Sequence, residues 1–161
     1  MKKGSETIWD VAVVGGGPAG MMAAGRAAEL GARVILVEKN AKLGKKLLIT
    51  GGGRCNVTNA EFDMRKFLAK FGKDYKFLFS PFSQWGPEET IKFFNSRKME
   101  TKVEAEKRVF PKSDSAESVW TVLLEYLKGA GVTVVSGSPV AGFVKVDVKV
   151  VAIRLKDGRE I

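Results

Sequence analysis

A glycine pattern near the start of the chain constrains the fold more than any other feature. Gly15-x-Gly17-x-x-Gly20 stands directly between the β-branched run Ile8 to Val14 and a stretch of small and apolar residues from Pro18 to Leu30. The run reads as a buried strand, and the stretch as a helix ended by Gly31. A second apolar strand, Arg33 to Val37, closes on an acid, Glu38. Strand, glycine turn, helix, strand and acid make a βαβ unit. In such a unit Gly15 permits the tight turn, Gly17 lets the backbone approach a pyrophosphate, and Gly20 lets the helix pack closely on the strand. The helix N-terminus at Pro18, Ala19 and Gly20 turns a positive dipole end toward the phosphates. Glu38 is placed to accept hydrogen bonds from ribose hydroxyls and would repel a 2′-phosphate.

Composition narrows the chemistry. The chain has 161 residues, 45% of them hydrophobic, which is enough for a core of ordinary size. No apolar run approaches the roughly 20 residues of a membrane-spanning helix. The Met1-Lys2-Lys3 start leads into Gly4-Ser5-Glu6 rather than into the apolar region of a signal peptide. One cysteine and no histidine leave no disulfide, no Cys-cluster metal site and no Ser-His-Asp triad. The expectation is therefore a cytoplasmic protein with no metal and no membrane. A charge of +9 points to anionic partners. The basic residues are scattered among acids and apolar residues, so a solvated face with a phosphate site is favoured over a nucleic-acid patch.

Beyond Glu38 the chain enters a glycine- and lysine-rich loop, residues 39–59. Helices are expected over residues 63–71 and 87–96, the second opened by Pro87 with Glu88 and Glu89 in its first turn. Short strands are expected over residues 99–103 and 108–110. Ala116, Val119, Trp120, Leu123, Leu124 and Leu127 follow the 3.6-residue period of a helix, with Asp114 and Glu117 as its capping pair and Gly129 as its stop. Val132 to Val135 reads as a third parallel strand. From Val140 to Leu155 the pattern alternates with period 2, and Asp157-Gly158 is a hairpin signal. Only three residues follow that turn, so the chain is read as truncated. Trp85, Trp120 and the set Phe67, Phe71, Phe77, Phe79 and Phe82 could form a substrate wall, with core packing the favoured reading.

The second constellation runs from Lys42 to Asn59. Gly51, Gly52 and Gly53 allow backbone N–H groups to converge on an anion or on a ring edge. Arg54, Lys45 and Lys46 are candidate phosphate partners, and Thr50, Asn56 and Asn59 candidate hydrogen-bond partners of a heterocycle. On these residues alone a mobile glycine loop with solvated lysines is an equal reading.

The string Lys42-x-x-Gly-Lys-Lys46…Thr50-Gly-Gly-Gly-Arg-Cys-Asn56-x-Thr-Asn59 resembles the signature of the YhiN/BaiN-like family of FAD-dependent oxidoreductases, some of which carry the label aminoacetone oxidase. The similarity continues through Phe79-Ser-Pro-Phe82 and Arg108-Val-Phe-Pro-x-Ser113-x-x-Ala116, and so covers most of the chain. The resemblance implies a Rossmann-like α/β fold: an FAD-binding domain with a parallel sheet, a mostly helical insertion and a C-terminal β-hairpin or meander. Residues 1–38 would be the βαβ unit, 39–131 the flavin loop and insertion, and 132–161 the third strand and the start of the meander. It places Gly15, Gly17, Pro18, Ala19 and Gly20 at the FAD pyrophosphate, and Glu38 and Lys39 at the adenosine ribose. Lys46, Thr50, Gly51, Gly52, Gly53, Arg54, Cys55 and Asn56 would lie along the phosphate and flavin end, and the Val140 backbone at adenine. Cys55 has no partner cysteine for a dithiol mechanism, so packing or flavin contact is its expected role.

The implied chemistry is electron transfer through FAD, between a reduced nicotinamide (NAD(P)H) or organic donor and a small-molecule substrate. No catalytic acid or base is assigned. Family members are more than twice this length, so the remainder of the flavin and substrate domains would be missing. The strand beside Ile8 to Val14 would be absent as well, leaving a bare hydrophobic edge. Two other readings remain: a tRNA-modifying type of flavoprotein, and a non-catalytic nucleotide-binding part of a split assembly.

Overall fold

The computed structural model describes residues 8–161; Met1 to Thr7, with the Met-Lys-Lys start, lie outside the described residues. The chain divides into two compact units, residues 1–47 with 123–161, and residues 48–122.

In the first unit β1 (Val11–Val14), α1 (Pro18–Glu29) and β2 (Val34–Val37) form the expected βαβ unit. β1 is shorter than the apolar run from Ile8 to Val14 and only half-buried, with alternate residues exposed. All four residues of β2 are buried, as its unbroken apolar run requires. The sheet is parallel in the order β1-β2-β6, where β6 is Thr133–Val135. β1 therefore lies at the edge, and among the described residues no strand pairs with its outer side. Gly31, at φ +93°, ends α1 as expected.

The C-terminal strands differ from the sequence reading. The alternation from Val140 to Leu155 is two strands, β7 (Val140–Val146) and β8 (Lys149–Leu155), paired antiparallel. The chain reverses at Asp147, which takes φ +53°, a conformation Asp tolerates better than most residues. Asp157-Gly158 is a second turn. The residues after it do return, for Ile153 and Ile161 exchange backbone hydrogen bonds and Leu155 N–H donates to Arg159. Ile153 and Leu155 pack on Ile35 and Val37 of β2, with Trp9, Val135, Val140 and Ile161 around them. By strand alternation Val34 and Leu36 face the opposite side, where α1 packs against β1 and β2.

The second unit holds α2 (Met64–Ala69), α3 (Tyr75–Gln84), α4 (Pro87–Asn95) and an antiparallel sheet in the order β3-β5-β4, from Thr58–Asn59, Arg108–Pro111 and Thr101–Val103. β4 and β5 fall within or at the strands expected over residues 99–103 and 108–110, whereas α3, which contains Pro81, has no counterpart in the sequence reading. Pro87 opens α4 as expected, and Glu89 Oε2 accepts the Gly86 N–H. Among the aromatic residues assigned to the core, Phe67 is buried and touches Phe82 edge-on at 4.9 Å. Phe71, Phe77 and Phe79 are exposed, Phe77 by 85%, so core packing does not account for them.

α5 (Ala116–Gly129) is the periodic helix of the sequence reading, with Ala116, Val119, Leu123 and Leu127 buried. Its cap differs from the expected pair: the Glu117 N–H donates to Ser115 Oγ at 3.2 Å. Asp114 stands outside the helix at φ +55° and binds basic side chains instead.

Gly25 sets the approach of α5 to α1. A Cβ there would stand 2.2 Å from the Tyr126 ring. Gly25→Ala should destabilise the protein by about 1–2 kcal/mol, overpacking outweighing the gain in helix propensity. Gly129 has open space where a Cβ would go, so Gly129→Ala should be neutral or stabilising by up to about 1 kcal/mol. Chemical denaturation of both variants checks this; equal stabilities would mean that α1 and α5 do not depend on the glycine.

Candidate functional site

One candidate constellation lies at the C-terminal end of the parallel sheet. Gly15 takes φ +107°, a conformation that other residues rarely adopt, and its N–H donates to Val37 O at 2.8 Å. The chain then turns into α1 at Gly17, the N-cap, with Pro18 at the first helical position. Gly20 is needed for close approach: a Cβ there would sit 1.9 Å from the Gly15 carbonyl oxygen. A Cβ on Gly17 would meet nothing within 4 Å, so the turn opens on free space in front of the helix N-terminus. Pro18 carries no N–H, and the first turn of a helix leaves its remaining N–H groups without intrahelical acceptors. That end carries no acidic side chain and no side-chain cap.

Glu38 is buried behind this turn and ties it together. Its Oε2 accepts the Gly16 N–H at 2.6 Å, and its Oε1 accepts the Asn40 N–H at 2.8 Å and the Asn40 side-chain amide. The Glu38 N–H donates to Val135 O and its carbonyl accepts from Ser138 N–H, both at 2.9 Å. Bracing the glycine turn is a role the sequence reading did not include. Burial raises the carboxyl's pKa, but the hydrogen bonds from Asn40 and Gly16, with the Lys39 charge, outweigh it and hold the value below the ordinary one.

Two further partners of the turn were missed. Leu43 covers Gly16 closely enough that a Cβ on Gly16 would lie 2.7 Å from its Cγ, and the Gly44 N–H donates to Gly16 O at 2.8 Å. Asn40, two residues after the acid, was legible as a residue that bonds its neighbours' backbone; Leu43 and Gly44 carry no such signal. Lys39 and Lys46 are exposed, and Val140 is the half-buried first residue of β7.

The second constellation lies in the other unit. Gly51, Gly52, Gly53 and Cys55 all take positive φ, at 55°, 65°, 83° and 57°. Thr50 and Asn56, both exposed, flank them. The turn is closed by Cys55 N–H to Thr50 O at 3.1 Å and Arg54 N–H to Gly51 O at 3.3 Å. Cys55 is buried, and burial pushes its thiol pKa up, which suits packing and not a reactive thiolate. Asn59 is taken up by Glu106 O and Lys70 Nζ. Arg54 does not stand free as a phosphate partner: it binds Glu104 and Asp114 and lies 4.2 Å over the Phe110 ring. These partners lie 50 and 60 residues along the chain, and no local pattern announces them. Among the described residues no cluster of His, Cys, Asp or Glu could hold a metal, and no helix is long and apolar enough to cross a membrane.

The Glu38 bonds predict a pH dependence. A carboxyl with a lowered folded pKa contributes stability that is fully present above its unfolded value of about 4.3 and is lost as pH falls through the folded value. Glu38→Ala should cost about 1–3 kcal/mol at pH 7, and the gap from the unsubstituted protein should close below about pH 4. Denaturant titrations across that range check it; a gap unchanged at low pH would mean the loss is one of packing.

The family model described as "HI0933-like protein Rossmann domain" matches residues 9–161. The chain is 36% identical over 129 residues to the 3-dehydro-bile acid delta(4,6)-reductase of Clostridium scindens, covering 79% of this chain and 31% of that protein. It is 36% identical over 77 residues to the ribosomal RNA dihydrouridine synthase of Escherichia coli, covering 48% of this chain and 19% of that protein. The chain therefore spans less than a third of the length of these curated relatives. Among solved structures, a flavocytochrome c3 fumarate reductase superposes with a TM-score of 0.72 at 25% identity, covering 95% of this chain and 31% of that one. The Rossmann-like fold and the family resemblance read from the sequence are both borne out. This chain belongs to the HI0933-like Rossmann-domain family.

Proposed function

We propose that this chain is the FAD-binding part of a flavin-dependent oxidoreductase that adds hydrogen across a carbon–carbon double bond of an unsaturated ring. The observation that carries the cofactor reading is the open space at Gly17, before a helix N-terminus that carries no acidic side chain. The glycine turn suits the pyrophosphate, with Pro18, Ala19 and Gly20 at the helix end, and Glu38 with Lys39 suits the adenosine ribose. Lys46, the turn from Thr50 to Asn56, and the Val140 backbone complete the proposed contacts. When bound, FAD supplies the carrier for two electrons. This chain's own residues bind and orient the cofactor and assign no proton to any side chain. The reaction type is supported by the relatives, since a delta(4,6)-reductase and a dihydrouridine synthase both add hydrogen to an unsaturated ring. A reduced nicotinamide is the proposed electron donor.

Gly17→Val tests this directly. The added side chain enters open space in the protein and so should leave the melting temperature unchanged, while FAD affinity falls at least tenfold, about 1.4 kcal/mol or more. Flavin absorbance of the purified protein together with a fluorescence titration measures both; stoichiometric FAD in the variant would remove the glycine turn from the site.

A second reading, RNA as the substrate, is favoured by a specific surface. Arg65, Lys66, Lys70, Lys73 and Lys76 alternate with exposed Phe71, Tyr75, Phe77 and Phe79, a combination that suits backbone neutralisation with base stacking. Binding of single-stranded RNA should weaken steeply with salt, and Lys70, Lys73 and Lys76 changed together to Gln should flatten the log–log slope by about 2, near 0.7 per lost phosphate contact. An unchanged slope, or affinity no greater than that of an unrelated basic protein, would leave the small-molecule reading alone.

A further inference from the structure

The turn at Gly51–Cys55 holds four left-handed residues in a span of five. Glycine has no preference for that conformation over many others, and an unbraced Gly-Gly-Gly segment loses the most backbone entropy on ordering. Cys55 adds to that cost, since its Cβ crowds the backbone at positive φ. Backbone hydrogen bonds from Cys55 N–H to Thr50 O and from Arg54 N–H to Gly51 O close the turn, and contacts from outside it add to the hold.

The Arg54 side chain ties the turn to the rest of its unit. Nε donates to Asp114 Oδ1 at 2.8 Å, and Nη2 reaches both Asp114 Oδ1 and Glu104 Oε1. Lys102 Nζ closes the square, binding Asp114 Oδ2 and lying 3.2 Å from Glu104 Oε1. Two cations alternate with two carboxylates, so the cluster is neutral as a whole. The guanidinium plane covers the buried Phe110 ring, and the Cβ position of Gly51 lies 3.5 Å from the same ring. Asp114 is itself held at positive φ. The fork and plane of a guanidinium make all these contacts at once; an ammonium cannot.

We infer that Arg54 is a positioning residue: it braces the glycine turn against Glu104, Asp114 and Phe110, and does not serve as a counter-charge to a cofactor phosphate. The inference rests on the FAD reading only where it concerns the cofactor. The two roles predict opposite outcomes for the carboxylates. A phosphate counter-charge is released when its carboxylates are neutralised, and binding holds or tightens. A brace loses its anchor, and binding weakens as it does when Arg54 itself is changed.

The test compares Arg54→Lys, Arg54→Gln and the pair Glu104→Gln with Asp114→Asn. Amide hydrogen exchange over residues 50–56 is read without flavin, and FAD affinity and the visible spectrum of bound flavin are read on the same proteins. Far-UV circular dichroism confirms that each variant is folded. The brace predicts at least tenfold faster exchange in that segment for all three. It also predicts FAD affinity at least tenfold weaker with an altered flavin spectrum for all three, no rescue by lysine, and no further loss when the arginine and carboxylate changes are combined. FAD affinity kept or improved in the carboxylate pair, with affinity lost in Arg54→Gln, overturns the inference in favour of a counter-charge. Exchange unchanged in all three overturns it as well. Absence of FAD binding by the unsubstituted protein counts against the cofactor reading alone, because exchange decides the brace without flavin.

Discussion

Glu38 is the point through which the parallel-sheet unit is tied together. Its carboxylate accepts N–H groups from the glycine turn and from the following loop, and its backbone bonds to Val135 of β6 and to Ser138 beyond it. One residue thus fixes the end of β2, the turn into α1 and the segment leading to β7. A buried carboxylate is stable there because each oxygen has N–H partners and the charge is never left unpaired. Replacing it would leave backbone donors without acceptors where the proposed site needs a rigid wall.

Around that knot, the glycines divide into two kinds. Gly20 and Gly25 are required because another element occupies the place of a side chain, the Gly15 carbonyl in one case and the Tyr126 ring in the other. Gly15 is required by its backbone angle, and Gly17 by neither. The space at Gly17 is open, which is what the proposed approach of a pyrophosphate to the backbone requires. The turn at Gly51–Gly53 shows a third arrangement, in which positive backbone angles are held by a side chain between them and by partners far along the chain.

Much of the βαβ unit was legible because its signals are local. A β-branched run, a fixed glycine spacing, a small-residue helix and a following acid lie within 31 residues, from Ile8 to Glu38, and each restricts its neighbours. The hairpin was misread for the opposite reason. Asp147-Val148 carries no glycine, so the turn gave no signal, and two strands of the same period read as one. α3 was missed because Pro81 and its neighbours look like a loop, although a proline in a helix costs only what its lost hydrogen bond and ring clash impose. The expected Asp114 cap failed because Arg54 and Lys102 compete for the carboxylate, and neither is near it in sequence.

The sequence by itself determined the Rossmann-like unit, the position of the glycine turn, the family and the absence of histidine or paired-cysteine chemistry. These follow from residue types and spacings that act over one or two elements. Only the tertiary structure decided what Glu38, Arg54 and Asp114 do. A charged side chain goes to whichever opposite charge or unpaired N–H the folded chain brings within about 3 Å; for Glu38 one such partner is Gly16, 22 residues before it, and for Arg54 they lie 50 and 60 residues along the chain.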